Sequence, residues 1–527
     1  MTEPTATPAQ QIAAGYATTG QALELGAVLV GGQVDPSAQV RIPLAMMNRH
    51  GLVAGATGTG KTKTLQLIAE QLSAAGVPVV MADFKGDLSG LSRLGEGGDK
   101  VLQRSKETGD DWAATPYPVE FLSLGTGGIG VPVRATISAF GPILLSKVLG
   151  LNQNQESTLG LIFHYADQQG LPLLDLKDLR SVITFLTTTD EGKAQLKTLG
   201  AVSTSTAGVI LRALVNLEAE GGDTFFGEPE MKPEDLLRFD TNGRGIISLF
   251  EVGDQAARPV MFTTFLMWVL ADLFNYLPEV GDVDKPKLVF FFDEAHLLFK
   301  DASKAFLNQV EQTVKLIRSK GVGVFFCTQL PTDVPNAVLS QLGARVQHAL
   351  RAFTPDDQQA LSKTVRTYPK TEVYDLASDL TALGIGEAIV TVLSERGAPT
   401  PVAWTRLRAP RSLMDTIGPD YIKAIAQASP LFLKYGTTQD RESAYEMLAA
   451  AMASPAEAEA EAELYDLPPI PTGIDVPSMP APVERAEPSM LDKMMDNPAF
   501  KSAMRSAGTV IGREITRSIF GTGRRRR

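Results

Sequence analysis

The eight residues Gly55-Ala-Thr-Gly-Thr-Gly60-Lys61-Thr62 constrain this chain more than any other stretch. Their glycines let the backbone curl tightly and turn several N–H groups inward. The flanks show what the curl connects. Leu52-Val53-Ala54 before it reads as the end of an apolar strand. After it, Leu65, Ile68, Ala69 and Leu72 recur at i, i+3, i+4 and i+7, one face of a helix that starts at the lysine. A strand, a glycine-rich turn and a helix in that order belong to an α/β fold.

The pattern continues along the chain. Apolar runs at Gly51 to Ala54, Val77 to Ala82, Val119 to Leu124, Gly245 to Phe250, Lys287 to Phe292, Val322 to Thr328, Arg345 to Leu350 and Glu387 to Leu393 read as strands, several of them covered on both faces. The expected class is α/β, a mostly parallel sheet covered by helices. Ala22 to Val34 alternates around Gly31-Gly32 and suggests a hairpin, so residues 1–45 read as a segment with a small β element after about ten flexible residues. Residues 46–410 then form the main domain. A helical insertion at about 135–240 is indicated by the spacing of Leu144, Val148 and Leu151 and of Leu159, Ile162 and Phe163. Residues 411–454 turn helical again. From 455 to 489 the chain carries eight prolines and eight acidic residues against one arginine, a flexible acidic linker; from 490 to 527 it carries nine Lys or Arg against three Asp or Glu.

Composition narrows the setting. At 527 residues with 44% hydrophobic and 21% charged residues, the chain has ordinary globular content. Cys327 is the single cysteine, so no internal disulfide forms, and the first residues lack the basic start and apolar core of a secretory signal. A reducing, cytoplasmic setting is expected. Apolar runs fall short of the roughly 18 to 20 residues that span a bilayer, so no integral membrane association is expected. The net charge of -11 argues against a wholly basic nucleic-acid surface and leaves room for a local basic channel.

The glycine-rich turn has the spacing of a phosphate cradle, built from Gly55, Ala56, Thr57, Gly58, Thr59, Gly60, Lys61, Thr62 and Lys63. Backbone N–H groups and the helix N-terminus hold phosphate oxygens, Lys61 reaches the β- and γ-phosphates of ATP, and the Thr62 hydroxyl ligates Mg²⁺. Leu288-Val-Phe-Phe-Phe292 ends in Asp293 and Glu294, where a strand tip offers two carboxylates: Asp293 for the Mg²⁺ shell, Glu294 for the attacking water. Asp83 ends another strand. It either assists metal or water, if its strand lies close to the phosphate-loop strand, or caps a turn. Gln329 ends Val322 to Thr328 and either senses the γ-phosphate or is a loop residue. Cys327 reads as core packing and His296 as a capping or orienting residue. The histidines are scattered, without zinc spacing. Arg49, just before the cradle strand, and Arg318, at the end of the helix leading to Val322, are either ordinary surface arginines or ones of the kind that P-loop motors lend to a neighbouring subunit.

These motifs together resemble a known family. Asn48-Arg49-His50 leading into Gly55 to Thr62, Ala82-Asp83-Phe84-Lys85-Gly86-Asp87, Asp293-Glu294-Ala-His296, Val324-Phe-Phe-Cys-Thr-Gln329 and the run Val334 to Pro355 resemble the HerA/FtsK superfamily, in particular the bacterial YjgR-type, HerA-like helicase branch. The resemblance covers most of residues 20–450. It implies a RecA-like sheet and rings of six copies. It also implies ATP sites at subunit boundaries and, as in characterised relatives, translocation along double-stranded DNA. Arg49 matches the arginine before the phosphate loop and is a trans-acting finger candidate, Arg318 matches the arginine before the sensor strand, and Asp83 an acidic position near the metal. The segment before the ATPase is too short for the N-terminal barrel of archaeal HerA, and the linker and basic tail lie outside the motor core. Two kinds of work remain open: a DNA-translocating ring, or a nucleotide-gated assembly protein whose ATP cycle switches partner binding.

Overall fold

The computed structural model describes residues 6–452 except 84–85, 199–201, 220, 252–258 and 282, so the acidic linker and the basic tail lie outside the described residues. Among the described residues, twelve strands form one sheet: β1 (Ala22–Val30), β2 (Gln33–Pro43), β3 (Gly51–Ala54), β4 (Val79–Asp83), β5 (Val119–Leu124), β6 (Val131–Val133), β7 (Ile247–Glu251), β8 (Leu288–Phe292), β9 (Val322–Thr328), β10 (Ala344–Gln347), β11 (Glu387–Thr391) and β12 (Ala403–Leu407). Their order is β2-β1-β12-β11-β10-β3-β9-β8-β4-β7-β5-β6. From β10 to β6 every pairing is parallel; from β10 outward through β11, β12, β1 and β2 every pairing is antiparallel. The class is therefore α/β with a mostly parallel sheet, as the buried strand runs predict.

The central strands are apolar throughout because helices cover both faces. In β8, Leu288, Phe290 and Phe292 point into one core, while Val289 and Phe291 point into the other; β9 alternates likewise, with Phe326 on one side and Phe325 and Cys327 on the other. Phe292 stacks on Phe326 at 5.4 Å. The helix Lys61–Ala74 covers one face through Leu65, Ile68, Ala69 and Leu72. The helices Pro259–Tyr276 and Lys304–Ile317 cover the other, with those of the insertion: Ile137–Val148, Gln153–Gln168, Leu176–Thr188, Asp190–Thr198 and Thr204–Ala219.

The ends of the chain depart from the sequence expectation. Pro8–Ala14 is a helix, started by a capping box in which Thr7 and Gln10 exchange side-chain and backbone hydrogen bonds. The β1–β2 hairpin turns on Gly31 and Gly32, both at positive φ. It is the edge of the main sheet rather than a separate element, since β1 pairs with β12. Neither β6 nor β12 stands out as an apolar run: β6 is three residues long, and in Ala403-Trp-Thr-Arg-Leu407 buried and half-buried residues alternate while Thr405 and Arg406 interrupt the apolar ones. In the C-terminal region, the helix Ala444–Met452 is tied to the insertion by Asp178, which accepts hydrogen bonds from the Ser443 hydroxyl and the Tyr445 N–H.

Candidate functional site

The phosphate cradle lies at the C-terminal end of β3, where open α/β sheets bind ligands. Gly55, Gly58 and Gly60 have φ of +152°, +81° and +114°, a run that side chains other than glycine resist. At Gly55 a Cβ would also fall 2.5 Å from the His348 Cβ. The Gly55 N–H donates to Thr328 O at 3.2 Å and the Ala56 N–H to Ala349 O at 2.8 Å, which anchors the loop to its two neighbouring strands. The Thr59 hydroxyl closes the turn on Ala56 O at 2.7 Å. Gly60 caps the following helix without a side-chain acceptor, which leaves the helix start suited to an anion. Lys61 Nζ curls into the loop and donates to Gly55 O at 2.7 Å and Ala56 O at 3.2 Å. Thr62 is half-buried and Thr57 exposed. Lys63 instead turns its ammonium to Gln66 Oε1 and Asp87 O, at 3.2 and 3.3 Å. Burial lowers its pKa against the pull of Asp87 and Asp83.

β9 and β8 stand next in the sheet, so their tips adjoin the cradle. Asp293 accepts the Glu294 N–H at 2.9 Å. Glu294 holds a left-handed backbone at φ 46°, a conformation that costs a glutamate energy and concentrates at functional sites. Its buried Oε2 makes no hydrogen bond; His296 Nδ1 lies 3.3 Å away, too poorly aligned for one. Cys327 is fully buried, and burial first, then the Asp293 carboxylate, pushes its thiol well above the ordinary range. The same sulfur lies within the fields of Lys61 and Glu294. Cys327 packs in the core as its apolar strand predicts.

Among the described residues, no three His, Cys, Asp or Glu side chains cluster as a metal cage. Thr62 and Asp293 fit a cation that takes its remaining ligands from phosphate and water, the habit of Mg²⁺.

Asp83 lies two strands from the cradle, since β9 and β8 separate β3 from β4. Its carboxylate accepts the N–H groups of Asp87 and Leu88, at 3.1 and 2.7 Å, and so caps that turn. Opposite it on β7 is Glu251, unremarked in the sequence, whose carboxyl is pushed up to about 8 by burial and then by Asp83. His348, at the end of β10, was equally silent; it lies under the loop with Nε2 2.9 Å from the Thr64 hydroxyl, and burial, then Lys61, holds its pKa down at about 4. Arg351 donates to Thr57 O at 3.2 Å, over the mouth of the loop.

Gln329 is exposed at the tip of β9, on a loop pinned by Asp333, which accepts from the Thr328 hydroxyl at 2.6 Å and the Leu330 N–H at 2.9 Å. Arg49 and Arg318 are brought together at the opposite ends of these strands. With Lys315 and Arg345 they line a cleft of about 760 Å³. The structure thus collects Lys61, Thr62, Asp293, Glu294 and Gln329 at one edge of the sheet and both arginines at the other.

A glycine-rich loop between strand and helix, with paired carboxylates two strands away on a mostly parallel sheet, defines a P-loop ATPase of RecA-like architecture. The family model described as Helicase HerA-like C-terminal matches residues 30–527, and the chain belongs to that family, within the HerA/FtsK superfamily. The DNA double-strand break repair helicase HerA of Saccharolobus solfataricus is 20% identical over 369 residues, 69% of this chain and 66% of that protein; the chain thus matches just under two thirds of its length. The solved bacterial conjugative coupling protein TrwBdeltaN70, in its unbound monoclinic form, shares the fold with a TM-score of 0.50 at 17% identity, over 78% of this chain and 95% of its own.

Proposed function

We propose that the chain hydrolyses ATP with Mg²⁺ and that this hydrolysis moves double-stranded DNA through a homo-oligomeric ring, most simply a hexamer. Lys61 and the backbone N–H groups of Gly55 to Thr62 hold the β- and γ-phosphates. Thr62 and Asp293 hold the cation, which supplies charge neutralisation as the γ-phosphoryl group leaves. Glu294, whose Oε2 has no hydrogen-bond partner, orients the attacking water, and Gln329 reads the presence of the γ-phosphate. Asp83, on β4 beside β8, holds the N–H groups of Asp87 and Leu88 near Lys63.

One observation carries the ring: the position of Arg49 and Arg318. Arg49 precedes β3 and the cradle follows it, so the four residues of β3 separate them by about 13 Å. An arginine there serves the cradle of the next copy better than its own. A head-to-tail contact that closes makes a ring, and in it the basic cleft of one subunit faces the phosphate loop of its neighbour. The similarity to a curated DNA repair helicase supports DNA as the cargo.

Sizing the full chain with ATP and magnesium, while measuring turnover with and without duplex DNA, tests the proposal. An oligomer whose turnover rises with DNA agrees with it. A monomer under every nucleotide condition, with turnover indifferent to DNA, contradicts it and favours the nucleotide-gated assembly reading.

A further inference from the structure

Beside the phosphate cradle, on the side of β3 away from Asp293 and Glu294, a pocket of about 220 Å³ opens next to Gly60, Lys63 and Thr64. Three segments wall it: the helix Asp99–Thr108, the turn at 384–386 before β11 and the strand end at 407–410 after β12. The turn is attached to the cradle itself, because the Gly386 N–H donates to Thr59 O at 3.2 Å.

The chemistry of the walls is specific. Val101, Ile385, Leu407 and Met414 make them largely apolar. Among these lies the planar guanidinium of Arg104, fixed by donation to Gly386 O at 3.0 Å and Leu407 O at 2.9 Å. Gly386 is required for this arrangement, since a Cβ there would stand 2.7 Å from Arg104 Nη1. A guanidinium held flat among apolar side chains is a stacking surface for an aromatic ring. The size also discriminates. Whole small-molecule sites run to roughly 300–1,000 Å³, so this pocket suits one heterocycle whose remaining parts lie elsewhere. Two large apolar side chains at its mouth are otherwise unexplained: Ile385 is 74% exposed and Met414 37%.

We propose that this pocket receives the base of the nucleotide whose phosphates lie in the cradle, with Arg104 stacked on the ring and Val101, Ile385 and Met414 enclosing it. The inference rests on the nucleotide-binding reading above and adds the residues that recognise the base. Neither the glycine-loop motif nor the paired carboxylates point to residues 101, 104, 385 or 414.

The test separates base from phosphate. Calorimetric titration of the full chain with ADP, and with inorganic tripolyphosphate as a base-free probe, is compared across wild type, Val101→Trp and Ile385→Ser. Filling the pocket by Val101→Trp is expected to weaken ADP at least tenfold and to leave tripolyphosphate within twofold. Ile385→Ser, at a side chain too exposed to disturb folding, is expected to weaken ADP at least threefold with the same selectivity. ADP affinity unchanged in both variants overturns the pocket while leaving the cradle intact, and so does an equal loss for the two ligands. Wild-type protein that binds neither ligand overturns the nucleotide reading itself.

Discussion

Glu294 concentrates the chemistry at the scale of single residues. Its left-handed backbone and the Oε2 without a hydrogen bond, 3.3 Å from His296 Nδ1, are local costs of the kind that gather at functional sites. Glu294→Gln keeps the shape and removes the base, so ATP affinity stays within about threefold while turnover falls by roughly 10²–10⁴; filter binding beside phosphate release reads the two separately. Lys61→Ala is expected to lose both, because it removes the ammonium held at the centre of the loop, the charge proposed to receive the phosphates. Glu251 makes a different prediction. Its carboxyl is raised to about 8 in the fold, against an ordinary value near 4.5. Between those values the unfolded chain has lost a proton that the native state keeps, so this group's contribution is fully present below pH 4.5 and is lost as pH rises to about 8. Glu251→Gln, which needs no proton, should therefore unfold at higher temperature than wild type at pH 8. The two should converge near pH 4.5. Melting curves across that range check it, and a constant offset would rule the account out. Sequence reading reached Glu294 and Lys61 because each ends or begins a recognisable element. It could not reach Glu251 or His348, whose significance comes from strands distant in sequence that meet only in the sheet.

Elements were legible in proportion to how completely they are buried. β8 and β9 are unbroken apolar runs because each of their residues faces a core, and their helical neighbours keep a clean period. β12 has the burial pattern of a half-covered strand and β6 is too short to show one, so both escaped. Adjacency was the other hidden quantity: the chain runs from β3 to β4, yet β9 and β8 insert between them, so Asp83 faces the cradle on the side of Lys63. The join between the insertion and the C-terminal helices was likewise unreadable, since it is made by side chains far apart in sequence, Asp235 with Lys434, Glu228 with Arg441, and Asp178. Asp178, 1% exposed, accepts from the Leu174 and Asp175 N–H groups at 2.7 and 3.1 Å as well as from Ser443 and Tyr445. Asp178→Ala strands those donors and should cost roughly 2–4 kcal/mol. A urea titration would show the midpoint fall; an unchanged midpoint would mean that the Asp178 part of the join contributes nothing to stability.

For the whole molecule, the decisive arrangement is that one sheet carries its phosphate cradle at one edge and its arginine cleft at the other. Sequence showed Arg49 and the cradle as near neighbours, with Gly55 to Thr62 six to thirteen positions after the arginine, and only the direction of β3 turns that nearness into separation. If the site belongs to two subunits, a Lys61→Ala chain lacks a cradle but keeps its arginines, and an Arg49→Ala chain has the reverse defect. The most direct measurement is ATP turnover of the two variants alone and mixed in equal amounts at fixed total protein. The account predicts that each alone is at least about tenfold below wild type, and that mixing restores a clear fraction of activity wherever an Arg49→Ala cradle meets the intact arginines of a Lys61→Ala neighbour. Arg49→Ala with full activity alone, or a mixture no more active than the mean of its parts, would contradict it.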